Sequence, residues 1–220
     1  MNSKLILLTL LVFFSLTSCN NKKSKIESKE KSKEIKQTEN PYWIFKESKH
    51  FRPKLNEKTF FEKTGTDFGW YILEPLSLYI ENPSNELTKG QNLSFGQKAI
   101  YYWWYLDGQV TNGGFKQFFS NGYGKYIPTI ITGLEYIGDD ELVSLLKKAE
   151  NYYVKNDKSS INEVKIPEEY KKIVSLGALT AFDAKYLDLN ESTMLKIEEY
   201  AKKNPKEFCV NENGKEIHKK

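Results

Sequence analysis

Few residues in this 220-residue chain carry reactive side chains. The cysteines are Cys19 and Cys209, and the histidines are His50 and His218. A Ser/His/Asp relay would have to recruit one of those histidines, and both flank the aromatic-rich middle of the chain. Cys209 has no histidine near it in sequence. Metal-binding H-E-x-x-H and paired C-x-x-C spacings are absent, as are phosphate-cradling Gly-rich loops. Acid–base work would fall to Asp107, Asp183 and Asp188 if the fold brought them together; read singly, each is a cap or surface residue. No acid, base and nucleophile set is visible. We therefore assign no catalytic residue, no metal and no cofactor, and read the chain as a non-enzyme.

The one dense motif is Asn112-Gly113-Gly114-Phe115-Lys116-Gln117-Phe118-Phe119-Ser120-Asn121-Gly122. Asn and Gly tolerate the left-handed backbone that ends a helix. Phe115, Phe118 and Phe119 fall at i, i+3 and i+4, one apolar face of a following short helix, while Gln117 points elsewhere and Asn121-Gly122 stops it. Two successive glycines let backbones approach closely or leave amides free to bind. The turn reading is a tight helix–helix corner; the functional reading makes Asn112, Gly113, Gly114, Phe115, Gln117, Phe118, Phe119 and Asn121 an interaction element.

The elements around this motif are helical. Trp70 to Ile80 is an apolar stretch that stops at Asn82-Pro83. Ser94 and Gln97 have the spacing of a capping box, and Ala99, Trp103, Leu106 and Val110 follow at helical spacing. Ile127, Ile130, Ile131, Leu134 and Ile137 share a face that ends at Gly138. Asp139 and Asp140 open a helix striped with Leu142, Leu145, Leu146, Ala149 and Tyr153. A weaker stretch runs from Pro167 to Leu187, and Asn190 is positioned to cap a last helix carrying Met194, Ile197 and Ala201, ending before Pro205. No comparable strand alternation appears. The expectation is an all-α, compact multi-helix domain over residues 59–208, with a polar tail over 209–220 in which Cys209 is an exposed or half-buried thiol.

Charge divides the chain. Residues 59–208 carry 17 Lys and 21 Asp/Glu, net −4, whereas residues 19–58 are net +6. A nucleic-acid-binding globule shows the opposite balance, so no nucleic-acid partner is expected for the folded part. Asn20 to about Asn40 has almost no apolar residue and reads as a disordered tether. Pro41 to Phe51 then brings Tyr42, Trp43, Phe45 and Phe51. Docking of this arm on the core is the favoured reading, an interfacial membrane contact the alternative.

Residues 1–18 read as a signal peptide: Lys4, then an apolar run from Leu5 to Leu16 too short to span a bilayer comfortably. Leu16-Thr17-Ser18-Cys19 resembles the lipobox of bacterial lipoproteins. The resemblance implies cleavage before Cys19, diacylation of its thiol, and a place in the cell envelope, anchored to the inner or outer membrane; two or more acyl chains anchor stably where one does not. With Cys19 acylated, Cys209 has no partner for an internal disulfide.

The central motif also carries a family resemblance. An NGGF-x-QFF-x-N stretch, here Asn112 to Asn121, is the hallmark of an α-helical domain family named after the C-terminal part of a bacterial DNA-mimic protein. Leu134-Glu135-Tyr136-Ile137-Gly138, the helix from Leu142 to Tyr153, Asp183 with Tyr186, and Asn204-Pro205 with Phe208 match later parts of that pattern. The resemblance covers roughly Leu93 to Phe208. It implies the helical fold and an acidic, DNA-like surface offered to a protein partner, with Asp139, Asp140 and Glu141, or Glu168 and Glu169, as local acidic patches. The leading functional expectation is a lipid-anchored protein-interaction module with Trp103, Trp104, Tyr123 and Tyr126 as anchors. An acidic inhibitor or immunity-type protein with a DNA-mimic-like surface is the second reading, and a carboxylate enzyme the third.

Overall fold

In the computed structural model, which describes residues 40–155 and 181–218, helices α1 (Glu57–Glu62), α2 (Gly65–Ile80), α3 (Phe95–Ser120), α4 (Ile127–Ile137), α5 (Asp140–Lys155), α6 (Ala181–Lys203) and α7 (Pro205–Phe208) follow in order. α3 is the central element and packs against α2, α4, α5, α6 and α7. This is the all-α architecture expected. No helix among the described residues is long and apolar enough to cross a membrane. The residues from Asn156 to Thr180, including Pro167, Glu168 and Glu169, lie outside those described, as does the segment before Asn40.

Local chemistry explains the helix ends. Ser94 Oγ accepts from the Gln97 amide at 3.2 Å and Gln97 Oε1 accepts from the Ser94 amide at 2.8 Å, the reciprocal capping box that opens α3. α4 closes with a Schellman pair: Gly138 N–H donates to the Glu135 carbonyl (3.3 Å) and Asp139 N–H to that of Leu134 (2.8 Å). Midway along α4, a Cβ on Gly133 would sit 2.9 Å from the Ala99 Cα, so the α3–α4 crossing depends on a residue without a side chain. α2 begins at Gly65, earlier than the apolar run suggests, because Glu198 Oε2 accepts the Gly65 N–H at 2.6 Å across from α6.

Three expectations change on contact with tertiary packing. Asn190 does not cap a last helix; α6 runs unbroken from Ala181 to Lys203. Buried Tyr186, Leu189, Thr193, Ile197 and Ala201 continue one stripe through it, and such packing outweighs the capping preference of a single Asn. The segment after Phe208 is not a free polar tail: β2 (Val210–Asn211) pairs in parallel with β1 (Lys54–Leu55), and Ile217 is fully buried. Cys209 is likewise fully buried, and burial pushes its thiol up to about 12.

The aromatic arm docks on the helices. Trp43 is buried and stacks on Phe95 (5.4 Å between centroids), Phe51 stacks on Tyr79 (3.9 Å), and Tyr42 meets Tyr102 and Tyr126 edge-on. About 200 Å² of Trp43 surface at ~25 cal/mol per Å² is on the order of 5 kcal/mol, which favours the core over an interfacial membrane contact for this ring.

Candidate functional site

At the double glycine, α3 bends. Gly113 (φ −152°, ψ 22°) and Gly114 (φ 73°, ψ −180°) leave helical conformation, and the chain restarts at Phe115. The helix that restarts there needs an acceptor for its first amides, and Asp183 of α6 supplies it: Oδ1 accepts the Phe115 N–H at 2.7 Å. A Cβ on Gly114 would lie 2.7–2.8 Å from the Asp183 carboxylate. The Phe115 amide that the bend frees is thus occupied from within the protein.

The motif residues separate by burial. Phe115 and Phe118 are fully buried in the core, and Phe119 packs against it. Asn112, Gln117 and Asn121 form an outer polar cluster with Gln109, through Asn112 Nδ2 to Gln117 Oε1 (3.3 Å), Gln117 Nε2 to Gln109 Oε1 (3.2 Å) and Asn121 Nδ2 to the same oxygen (2.8 Å). The phenylalanines and Gly114 hold the corner together; Asn112, Gly113 and Asn121 are the members that reach solvent.

One turn along α6 from Asp183, Tyr186 is fully buried and its hydroxyl donates to Asp107 Oδ1 at 2.9 Å. Asn190 Nδ2 reaches the same oxygen at 3.5 Å. Burial raises the Asp107 carboxyl above the usual range, and the hydrogen bonds from Tyr186 and Asn190 act against that rise. Burial, with Asp107 opposite, holds the Tyr186 phenol well above its ordinary value.

Asp107 opens into a cleft of about 290 Å³ between α2, α3 and α6. α3 contributes Trp103, Trp104 and Asp107, and α6 contributes Asn190, Glu191, Met194 and Leu195. The start of α2, at Gly65 and Thr66, closes the third side. At the rim, Trp70 is 53 % exposed and meets Trp104 edge-on at 4.5 Å, and Leu195 is 52 % exposed.

Of the expected anchors, Trp103 and Tyr126 belong to the core at 2 % exposure each, and Tyr123 packs against it; Trp103 and Trp104 both line the cleft, Trp103 from the core and Trp104 half-buried. The exposed ring is Trp70, missed because it sits in an apolar run. Its angle was available: two residues past buried Phe68, it lies about 200° round the helix. Asp107, Asp183 and Asp188 do not form one acid site. Asp183 caps Phe115, Asp107 holds Tyr186, and Asp188 is exposed. The Asp139-Asp140-Glu141 patch loses its first member, since Asp139 is buried, accepts from Thr193 Oγ1 (2.6 Å) and pairs with Lys196 (2.6 Å). Among the described residues, no group of three or more His, Cys, Asp or Glu is arranged to hold a metal.

Two buried charges had no sequence signal. Glu86 accepts from Tyr105 (2.8 Å), Tyr126 (2.5 Å) and, more weakly, Tyr101 (3.4 Å). Lys98 donates to the Ile44 carbonyl at 2.5 Å and faces the Phe45 and Phe95 rings, and burial pulls its amine down to about 7. His50 Nε2 donates to the Glu207 carbonyl at 3.1 Å, the oxygen that also accepts from Ser94 Oγ, so both are structural donors.

Glu207 completes the joint that these residues define: Oε2 accepts the Gly96 N–H at 2.9 Å, and Oε1 accepts the Tyr200 and Tyr136 hydroxyls at 2.7 and 3.1 Å. The double-glycine bend, the Asp183 cap, the Tyr186–Asp107 pair and the Schellman end of α4 all fall within one stretch of sequence. Residues 91–204, just over half the chain, match the profile of DMP19-like protein. The chain belongs to the DMP19-like family. No curated protein and no solved structure matches it at a significant level. In this DMP19-like domain, Asn112–Asn121 is the corner around which α3 and α6 lock.

Proposed function

We propose that this chain is an acidic, protein-binding module of the DNA-mimic type, held at a bacterial membrane through lipid on Cys19. Membership of the DMP19-like family carries the reading. The partner is a protein whose basic face otherwise holds nucleic acid. Residues 59–208 contain no arginine and are net −4, and their exposed acids include Asp188, Glu191 and Glu199 on α6 and Asp140 and Glu141 on α5. Charge of this sign steers a basic partner and repels DNA. Leu16-Thr17-Ser18-Cys19 after an apolar run supports the anchor, and the Lys-rich stretch behind it supports a flexible tether. This favours the acidic-inhibitor reading over a module that binds chiefly through aromatic anchors, because most of those rings are core.

The test is crosslinking of the tagged protein in its native cells, beside Cys19→Ala and an Asp188→Lys/Glu191→Lys double variant. A basic partner captured by the wild type and lost from the charge-reversed variant is the expected result, with Cys19→Ala released from the membrane fraction. A partner retained despite charge reversal overturns the acidic-surface reading. A Cys19→Ala protein still membrane-bound at mature size overturns the anchor.

A further inference from the structure

We propose that the cleft between α2, α3 and α6 is the seat of an arginine side chain presented by the partner protein, an inference that rests on the protein-binding reading above. Its walls hold two carboxylates, Asp107 and Glu191, and no lysine or arginine. Asp107 is pre-oriented for a cation. Oδ1 is fixed by Tyr186 and Asn190, whereas Oδ2 accepts no hydrogen bond among the described residues. A half-buried carboxylate is poorly screened, so a cation brought to it gains more than at an open surface.

The other walls suit a guanidinium better than an ammonium. Trp103 and Trp104 line the cleft, and indole is the strongest aromatic partner for a cation. Arginine combines a planar face that stacks on rings with a fork of donors for a carboxylate, and is more weakly hydrated than lysine. Met194 supplies polarizable surface for the aliphatic stem. The size points the same way: about 290 Å³ is at the lower limit of small-molecule sites, which run from about 300 to 1,000 Å³, and suits one long side chain.

The rim argues for a side chain on a protein over a free amine. Trp70, which packs against Trp104, and Leu195, which lines the cleft, are 53 and 52 % exposed, and Glu191 and Leu195 are successive turns of α6. A charged anchor ringed by apolar contacts that exclude water is the usual build of an interface hot spot, where arginine is enriched.

The test uses the full chain in detergent, titrated with Nα-acetyl-arginine methylamide, the matching citrulline derivative and agmatine, read by tryptophan fluorescence and by the indole proton resonances. The arginine probe should bind saturably and shift the Trp103 and Trp104 signals. The citrulline probe, uncharged and of the same shape, should not bind. Asp107→Asn should weaken binding about tenfold or more, the loss of a charge-assisted hydrogen bond. Glu191→Gln, at an exposed position that does not support the fold, should weaken it about two- to threefold. Equal binding of the citrulline probe, no saturable response, or full affinity in folded Asp107→Asn overturns the proposal. Agmatine binding more than about tenfold tighter than the blocked arginine also overturns it, marking a small-amine site. These titrations need no partner, so their failure is separate from failure of the crosslinking experiment.

Discussion

Adjacent glycines at the α3 bend should respond very differently to the same added methyl. At Gly114, alanine would have to adopt φ 73° and ψ −180°, a region reserved for glycine, at about 1–3 kcal/mol. Its Cβ would also meet both Asp183 oxygens at 2.7–2.8 Å, displacing the carboxylate that caps the buried Phe115 amide. Losing that charged hydrogen bond costs about 1.5–3 kcal/mol. Together Gly114→Ala should destabilise by roughly 3–5 kcal/mol, a fall in melting temperature on the order of 10 °C for a chain of this size. At Gly113 the backbone has negative φ, and the clash, 2.1 Å, is with Oε1 at the flexible end of Gln117. Swinging Gln117 away sacrifices its bonds to Asn112 and Gln109 and leaves a tight 3.0 Å contact with its Cβ, so Gly113→Ala should cost about 1–2 kcal/mol. Urea unfolding of the two variants, compared at equal m-value, measures the difference. Equal destabilisation, or a larger effect at Gly113, would refute the assignment of Asp183 as the cap that dictates Gly114.

Lys98 makes stability pH-dependent. Its amine is near 7 when folded and 10.5 when free, so the unfolded chain binds more protons between those values and stability rises with pH across that window, fully present above it and lost as pH falls through about 7. Lys98→Met should raise stability at neutral pH by roughly 1–3 kcal/mol and flatten that rise in urea unfolding from pH about 6 to about 10; an unchanged slope contradicts it. Glu86→Ala strips three tyrosine hydroxyls of their acceptor and should cost about 3 kcal/mol, with a loss under about 1 kcal/mol showing that the hydroxyls repair their bonding. In Cys19→Ala protein, Cys209 should stay unlabelled by thiol reagents until the chain unfolds, because it is buried and its pKa is pushed up to about 12; rapid native labelling would show that the β1–β2 end opens.

What was legible in the sequence is what depends on neighbours a few residues apart. The Ser94–Gln97 box, the stop at Gly138 and the stripes of α4 and α5 involve i, i+3 and i+4 relations, and each appears where the pattern put it. The helical fold and the NGGF corner followed from the same local rules. Asn190 misled because its preference for a cap is about 1 kcal/mol, less than the burial of the residues on either side. Partners far apart in sequence left no trace. Phe115 and Asp183 are 68 residues apart, and Ser94 and Gly96 bond Glu207 across more than a hundred. The cleft is the clearest case. Asp107, Trp103 and Trp104 share one helix and were visible as residue types, but only the packing of α2 and α6 against α3 encloses them in a cleft with Asn190, Glu191 and Met194.

The central claim is that this domain occupies a protein face that otherwise holds nucleic acid. Competition between the captured partner's duplex DNA and this protein tests it most directly, as a function of salt. The account predicts mutual exclusion, with affinity for the protein falling as salt rises and screening grows. A stable ternary complex of partner, DNA and this chain, or an affinity indifferent to salt, would contradict it.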